Sequence, residues 1–333
     1  KISGLGRAES RSPVPMPPAT IHAFDVLTDG AARRLDDIAA PQPANLAYRW
    51  IHFDLAEPGV RDWIAQRTDG VVAQALTRQD TRPTVNPLES GNILILRGVN
   101  LNPESDPEDM VSIRIWLAGD LIISTRVRRL MAIVALREQI EAGQPPASAG
   151  DFIARLAAGM TERMDPVVAE LADRIDELEE ESVDRAAGLR AQLAGIRRTT
   201  IALRRYVAPQ RDALAKLAAD NSGLFDRPVQ IHLRETADQV TRLVEDLDAV
   251  RERSAILNDQ LIDRRAEEMN SNMLVLSVVA AIFLPLGFLT GLLGINVGGM
   301  PGADYAWAFY IVCGLCAVIA VGLAAWFHAK RWF

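Results

Sequence analysis

The sequence predicts an α+β cytoplasmic domain with long helices, followed by two C-terminal transmembrane helices, and three observations carry that prediction. Two stretches near the C-terminus hold no charge, Met273 to Leu293 with 21 residues and Ala306 to Phe327 with 22. At about 1.5 Å per residue, each is long enough to cross a hydrocarbon core of roughly 30 Å. Short apolar runs that read as strands fill the chain from Thr20 to about Arg126. Beyond that point apolar residues recur at threes and fours, the spacing of helices.

Averages conceal this division. With 24% charged residues and a formal charge of −7 over 333 residues, the chain reads as an ordinary soluble protein until the distribution of charge is followed. The elements come in this order. Residues 1 to 19, rich in Pro, Ser and Gly and without an initiator Met, are expected to be a disordered arm or a remnant of expression, with no targeting segment.

Residues 20 to 148 form the α/β part. Its strands are read at Ile21 to Leu27, Arg49 to Leu55, Asn92 to Asn100, Ser112 to Leu117 and Asp120 to Thr125, with a tight turn at Gly119-Asp120 and helices at Gly59 to Gln66 and Val71 to Thr77. A mixed sheet with helices follows.

Residues 149 to 228 read as a long antiparallel helical hairpin. Its first arm is one amphipathic helix from Ala149 to Asp184, and its second runs from Leu189 to about Ala219 after Gly188. Residues 229 to 293 read as a single helix of about 65 residues that enters the membrane at Met273, since no Gly or Pro interrupts it before Pro285. A monomer could not bury so long a rod.

The outer loop spans 294 to 305, the second span 306 to 327, and residues 328 to 333 form a basic tail. Arg264 and Arg265 precede the first span, Lys330 and Arg331 follow the second, and the loop between has no Lys or Arg. Basic residues stay on the cytoplasmic side, so both termini are expected there, in an inner (plasma) membrane protein. Tyr305, Trp307 and Tyr310 at one end and Trp326 and Trp332 at the other suit the aromatic belts of a bilayer.

Within the first span, Asn270, Met273, Ser277, Ala280, Leu284, Gly287 and Gly291 alternate spacings of three and four and so share one small or polar stripe. Phe283, Phe288 and Leu292 are read as a bulky face opposite. Such a stripe serves either as a seam between helices or as the wall of a pore, and a pore would require a closed ring of subunits. Gly294-Ile295-Asn296 opens the loop GINVGGMPGADY, with four glycines and a proline, and favours the pore.

Gly-x-Asn directly after the first of two C-terminal spans, followed by Met-Pro and preceded by a long helix, resembles the CorA family of metal-ion transporters. The run from Phe283 to Gly302 looks like the zinc-transporting ZntB branch, since the magnesium branch typically has Gly-Met-Asn where this chain has Gly-Ile-Asn. The resemblance implies a CorA-like, funnel-shaped homopentamer embedded in the lipid bilayer and transporting divalent cations. It also implies an outer selectivity ring of Asn296 with Gly294 and Ile295, above a path lined by Asn270, Met273, Leu276, Ser277, Ala280, Leu284, Gly287 and Gly291.

Amide oxygens of Asn296, with backbone carbonyls freed where Gly291 and Gly294 relax the helix, would hydrogen-bond the water shell of an ion. Dehydrated zinc would take Cys or His ligands at about 2.0 to 2.3 Å, and the stripe has neither. Hydrated passage of Zn2+ is therefore expected, with Mg2+, Co2+ and Ni2+ as alternatives, Met273 and Leu284 as hydrophobic constrictions and no resident cofactor. The stripe carries no titratable group, so proton coupling, if present, lies elsewhere.

Asp304, the one charge of the outer loop, either draws cations to the mouth or is a solvated loop residue. His232 is a candidate cytoplasmic zinc ligand, with Asp259 further along the same helix. His328, Lys330 and Arg331 form a basic collar that anchors the second span and could gate the inner mouth. The acidic run from Asp173 to Asp184 reads as a solvated helix end, and Cys313 with Cys316 as packing positions within a span rather than a metal pair.

Three function classes fall away or fall behind. An enzyme is not expected, since there is no Gly-rich phosphate loop after a strand, no His-Glu-x-x-His and no nucleophile with a recognisable base. Nucleic acid is not expected as a partner of this acidic chain. A membrane-anchored coiled-coil scaffold or sensor is the rival from another class, and it would predict a featureless loop and a lipid-facing first span.

Overall fold

The computed structural model describes residues 20–180, 186–220, 223–294, 302 and 305–330. The chain divides within one helix into two compact units, Lys1–Ala255 and Ile256–Phe333.

The first unit is built on a seven-stranded sheet in the order β2-β1-β3-β7-β6-β5-β4. Its strands are β1 (His22–Leu27), β2 (Ala32–Arg34), β3 (Leu46–Asp54), β4 (Thr84–Leu88), β5 (Gly91–Gly98), β6 (Val111–Ala118) and β7 (Leu121–Arg126). Only β3 and β7 pair in parallel; the other neighbours are antiparallel. The turn expected at Gly119-Asp120 joins β6 to β7, where Ala118 faces Leu121. Gly119 has φ +60°, the left-handed region in which a side chain would be strained.

Alternation along the strands gives the sheet two apolar faces. Ile51, Phe53, Ile93, Ile95 and Ile123 meet α1 (Val60–Arg67) and α2 (Gly70–Thr77) through Trp63, Ile64, Val72 and Leu76. Asp69 caps α2 by accepting from the Val72 N–H at 2.8 Å. On the other face Trp50 and Tyr48 meet Phe152 of α4 (Ala149–Glu162), with ring centroids 4.9 and 6.0 Å apart. Helix α3 (Met131–Glu141) lies beside α4. Arg49 and Asp25, both buried, form a bidentate pair at 2.7 and 2.8 Å within the sheet.

The single helix expected from Ala149 to Asp184 is two helices, α4 and α5 (Asp165–Glu180), and the cause is Pro166. It has no N–H to offer the carbonyl of Glu162, so α4 ends and α5 restarts with the proline in its first turn. Short i to i−3 bonds bridge the break, from Met164 N to Thr161 O at 2.9 Å and from Val167 N to Met164 O at 3.1 Å. Helix α5 packs on α6 (Ala186–Ala218).

Helix α7 runs without a break from Arg227 to Leu293, 67 residues in all. In the first unit it is tied to α6 by Arg204–Asp248 at 2.6 Å and to α5 by Arg253, which bonds Glu179 at 3.0 Å and also reaches Asp176. Two carboxylates of the acidic run are thus paired rather than simply solvated. Helix α8 covers Ala308–Ala329.

Candidate pore helix and its neighbours

The second unit holds the end of α7 and all of α8, and almost none of the apolar stretch of either helix is buried within the chain. The exceptions define a seam. On α7 the less exposed positions are Leu274, Val278, Ile282, Pro285, Leu286 and Leu289; on α8 they include Val312, Cys316, Leu323 and Phe327. Val278 is 2% exposed and Phe327 5%, so the hairpin closes along these two stripes. Helix spacing of threes and fours could have located this seam in the sequence, but its residues do not differ in type from those around them.

The predicted pore-lining set lies elsewhere on α7. Asn270, Met273, Leu276, Ser277, Ala280, Leu284, Gly287 and Gly291 are all exposed in the chain, and at about 100° per residue the stripe lies roughly 130° around the helix from the seam. Exposure alone does not single it out, because most of this segment is exposed. Composition does: of the seven residues at alternating threes and fours, five are Asn, Ser, Ala or Gly.

The bulky face expected opposite is not one face. Phe283 and Phe288 lie about 140° apart around the helix and flank the stripe, 67% and 68% exposed. Nor does Gly291 relax the helix as expected. It is helical, and its carbonyl and that of Thr290 both accept from the Gly294 N–H, at 3.3 and 3.0 Å. The carbonyl left without its usual partner is that of Ala281, because Pro285 four residues on has no N–H.

Thr290 and Ser277 were not singled out for hydrogen bonding by sequence. Thr290 Oγ1 donates to Leu286 O at 2.9 Å, and Ser277 Oγ donates to Met273 O at 2.8 Å. At Gly294 a Cβ would sit 2.9 Å from Thr290 O, so the helix ends on a residue that tolerates no side chain without a shift. Ile295, Asn296, Asp304 and Arg331 lie outside the described residues.

His328 and Lys330 stand exposed at the end of α8, where the Lys330 N–H closes the last turn on Trp326 O at 3.1 Å. Tyr305, Trp307 and Tyr310 are exposed at its other end. Cys313 and Cys316 carry free thiols. His232 and Asp259 are both exposed on α7 but about seven turns apart, so one chain cannot bring them to one ion. Among the described residues no three His, Cys, Asp or Glu side chains are grouped to hold a metal.

Comparison with known proteins places this architecture. The divalent cation transporter CmaX of Pseudomonas aeruginosa is 38% identical over 288 residues, 85% of this chain and 87% of its own. The zinc transport protein ZntB of Yersinia enterocolitica is 32% identical over 286 residues, again 85% of this chain and 87% of its own. The structure of full-length CmaX matches with a TM-score of 0.79 at 34% identity, covering 94% of this chain and 97% of that one. The CorA magnesium transporter of Methanocaldococcus jannaschii gives a TM-score of 0.80 over 94% of this chain and 98% of its own, and at 18% identity it speaks for the fold alone. Residues 45–331 match the family described as CorA-like Mg2+ transporter protein, a range that takes in strands β3 to β7, the long helix and α8. The chain therefore belongs to the CorA-like Mg2+ transporter family, a family of ion transporters and not of enzymes.

Proposed function

We propose that this protein carries divalent metal cations, zinc foremost, through the central pore of a homopentamer in the inner membrane, with both termini cytoplasmic. The observation that carries the reading is the stripe from Asn270 to Gly291, small and polar, exposed, and turned away from the α7–α8 seam. A two-helix hairpin cannot enclose a path by itself, so a stripe of this kind needs copies of the chain to close it. A closed ring of five would line the path with Asn270, Met273, Leu276, Ser277, Ala280, Leu284, Gly287 and Gly291.

The mechanism follows from the chemistry of that lining. Amide and hydroxyl groups hold water around an ion without ligating it tightly, and rings of Met273 and Leu284 block a narrow water column by dewetting until they part. Asn296, with Gly294 and Ile295, forms the outer ring, and Asp304 raises the cation concentration at the mouth. The absence of Lys and Arg between Arg265 and Lys330 supports the orientation. The relatives named for zinc and the Gly-Ile-Asn loop support the choice of ion.

The test is uptake into proteoliposomes of purified full-length protein, with Zn2+, Mg2+, Co2+ and Ni2+ in parallel and with or without a pH gradient. Zinc flux above that of empty vesicles is expected, and Asn296→Ala should abolish most of it. Magnesium flux without zinc flux would reassign the ion, and Asn296→Ala transporting like the wild type would refute the outer ring.

A further inference from the structure

The first unit contains a cavity of about 730 Å3 that the transport reading does not use, bounded by α2, the segment after it, β4, β5 and α6. Its lining residues include Arg78, Arg82, Arg97 and Arg205 against one acid, Asp80. Beneath its edge Arg114 of β6 is 1% exposed, and it lies diagonally across the β5–β6 pair from Arg97, since Ile95 faces Arg114 and Arg97 faces Ser112.

None of these five arginines has a carboxylate within ion-pair distance among the described residues. The contrast is Arg49, the other buried arginine of the sheet, which both oxygens of Asp25 neutralise. Arg114 instead donates to the carbonyls of Arg78 at 2.8 Å and Gln79 at 3.1 Å. Arg97 donates to Thr81 O at 3.0 Å and Met110 O at 2.9 Å and stacks on Tyr206 at 4.0 Å.

Carbonyl dipoles satisfy the N–H groups but leave the charges unbalanced. Burial, reinforced by Arg97 and Arg61, lowers the Arg114 pKa to about 10. The contacts of Arg97 and Arg114 staple residues 78 to 82 to the sheet, which accounts for those two guanidinium groups. It does not account for Arg78, Arg82 and Arg205, which stand exposed on the same cavity with no carboxylate partner among the described residues, Arg205 lying 5.6 Å over the Tyr206 ring.

We propose that this cavity binds a nucleoside polyphosphate. Guanidinium groups make paired bonds to phosphate oxygens, and the three exposed ones of Arg78, Arg82 and Arg205 match a run of adjoining phosphates. The volume lies within the range of roughly 300 to 1,000 Å3 for small-molecule sites. Val71 and Leu88 add apolar surface to the same lining, as a base would need, while the Tyr206 ring holds Arg97 in place. The residues of this site belong to the first unit, and none of them is in the set proposed for the ion path.

The experiment is calorimetric titration of detergent-solubilised full-length protein with ATP, sodium tripolyphosphate and adenosine, in buffer containing EDTA so that no transported metal takes part. ATP is expected to bind, tripolyphosphate about tenfold more weakly, and adenosine not measurably. The double variant Arg82→Ala/Arg205→Ala, which removes only exposed side chains, should weaken ATP and tripolyphosphate by about tenfold or more. Arg33→Ala/Arg34→Ala, removing the same charge from the β2 edge, should leave both unchanged. Absence of ATP binding, or equal loss in the two double variants, overturns the site. Equal affinity for ATP and tripolyphosphate overturns the nucleotide.

Discussion

Large apolar side chains meet opposite fates in the two units. Trp50 and Phe53 are 0% exposed in the sheet of the first unit, whereas Leu284 and Phe309 in the second are 77% and 72% exposed. The first unit satisfies the hydrophobic effect within its own chain, while the second leaves apolar surface that only lipid or other copies of the chain can cover. Stability should therefore be written in the first unit and conduction in the second.

The largest expected effect breaks that comparison if it is wrong. Phe53→Ala opens a cavity against Trp63 and should cost about 3 to 5 kcal/mol of stability. Leu284→Ala should change stability by less than about 0.5 kcal/mol, as exposed substitutions do, while raising zinc flux by widening a constriction. Denaturant unfolding of full-length protein in detergent, followed by tryptophan fluorescence, measures the first, and vesicle uptake the second. If Leu284→Ala destabilised the protein as much as Phe53→Ala, the division of labour would be lost.

A second effect sharpens the contrast within the second unit. Val318 is 70% exposed in the middle of α8, and Ala280 is exposed on the stripe of α7. A carboxylate facing lipid at the centre of a span costs about 2.5 to 3.5 kcal/mol of insertion, and one facing water in a pore costs far less. Val318→Asp is therefore expected to lower the amount of protein inserted in the membrane severalfold, and Ala280→Asp to insert normally and alter ion preference. Equal insertion defects would place the α7 stripe against lipid or another helix rather than a pore.

What the sequence disclosed follows the same physical division. The five strands read in advance are those buried or flanked by buried strands, whose Ile, Leu, Val and aromatic runs are dictated by the core. The two missed, β2 and β4, are the edges of the sheet. Edges must discourage further pairing, so β2 is three residues ending in two arginines and β4 carries Pro87, and neither has the apolar signature of a strand. Pro166 was visible but was outweighed by an apolar period that runs through it unbroken.

The long helix and both spans were legible because absence of charge is a one-dimensional signal that needs no knowledge of partners. The seam through Val278 was not, because Leu, Ile and Val serve equally against a helix or against lipid. The arginine cavity was hidden for another reason: Arg78, Arg97 and Arg205 are far apart in sequence, and only the packing of α2, β5 and α6 gathers them.

The smallest expected effect concerns pH and again separates the units. His52 is wholly buried, with Nδ1 2.8 Å from Ser124 Oγ, and Trp50 Nε1 donates to that same oxygen at 2.8 Å. Ser124 Oγ in turn donates to Ile51 O at 3.5 Å, and His52 Nε2 is left without a hydrogen-bond partner among the described residues. Burial, with help from Arg126 and His22, holds its pKa well below 6.5. Burial, with Arg137, Arg126 and Arg34, lowers His22, stacked 6.0 Å away, to about 4.

Because both folded values lie below 6.5, the unfolded chain takes up protons first as the pH falls. The stability from keeping these rings neutral is fully present above pH 6.5 and is lost as the pH descends toward 4. The thermal midpoint of full-length protein should therefore drop between pH 7.5 and pH 5.0, and His22→Gln should make that drop shallower. The stripe from Asn270 to Gly291 has no titratable side chain, whereas both histidines belong to the first unit. A wild-type midpoint that stays level across that range, or one that falls identically in His22→Gln, would remove the histidine pair as its source.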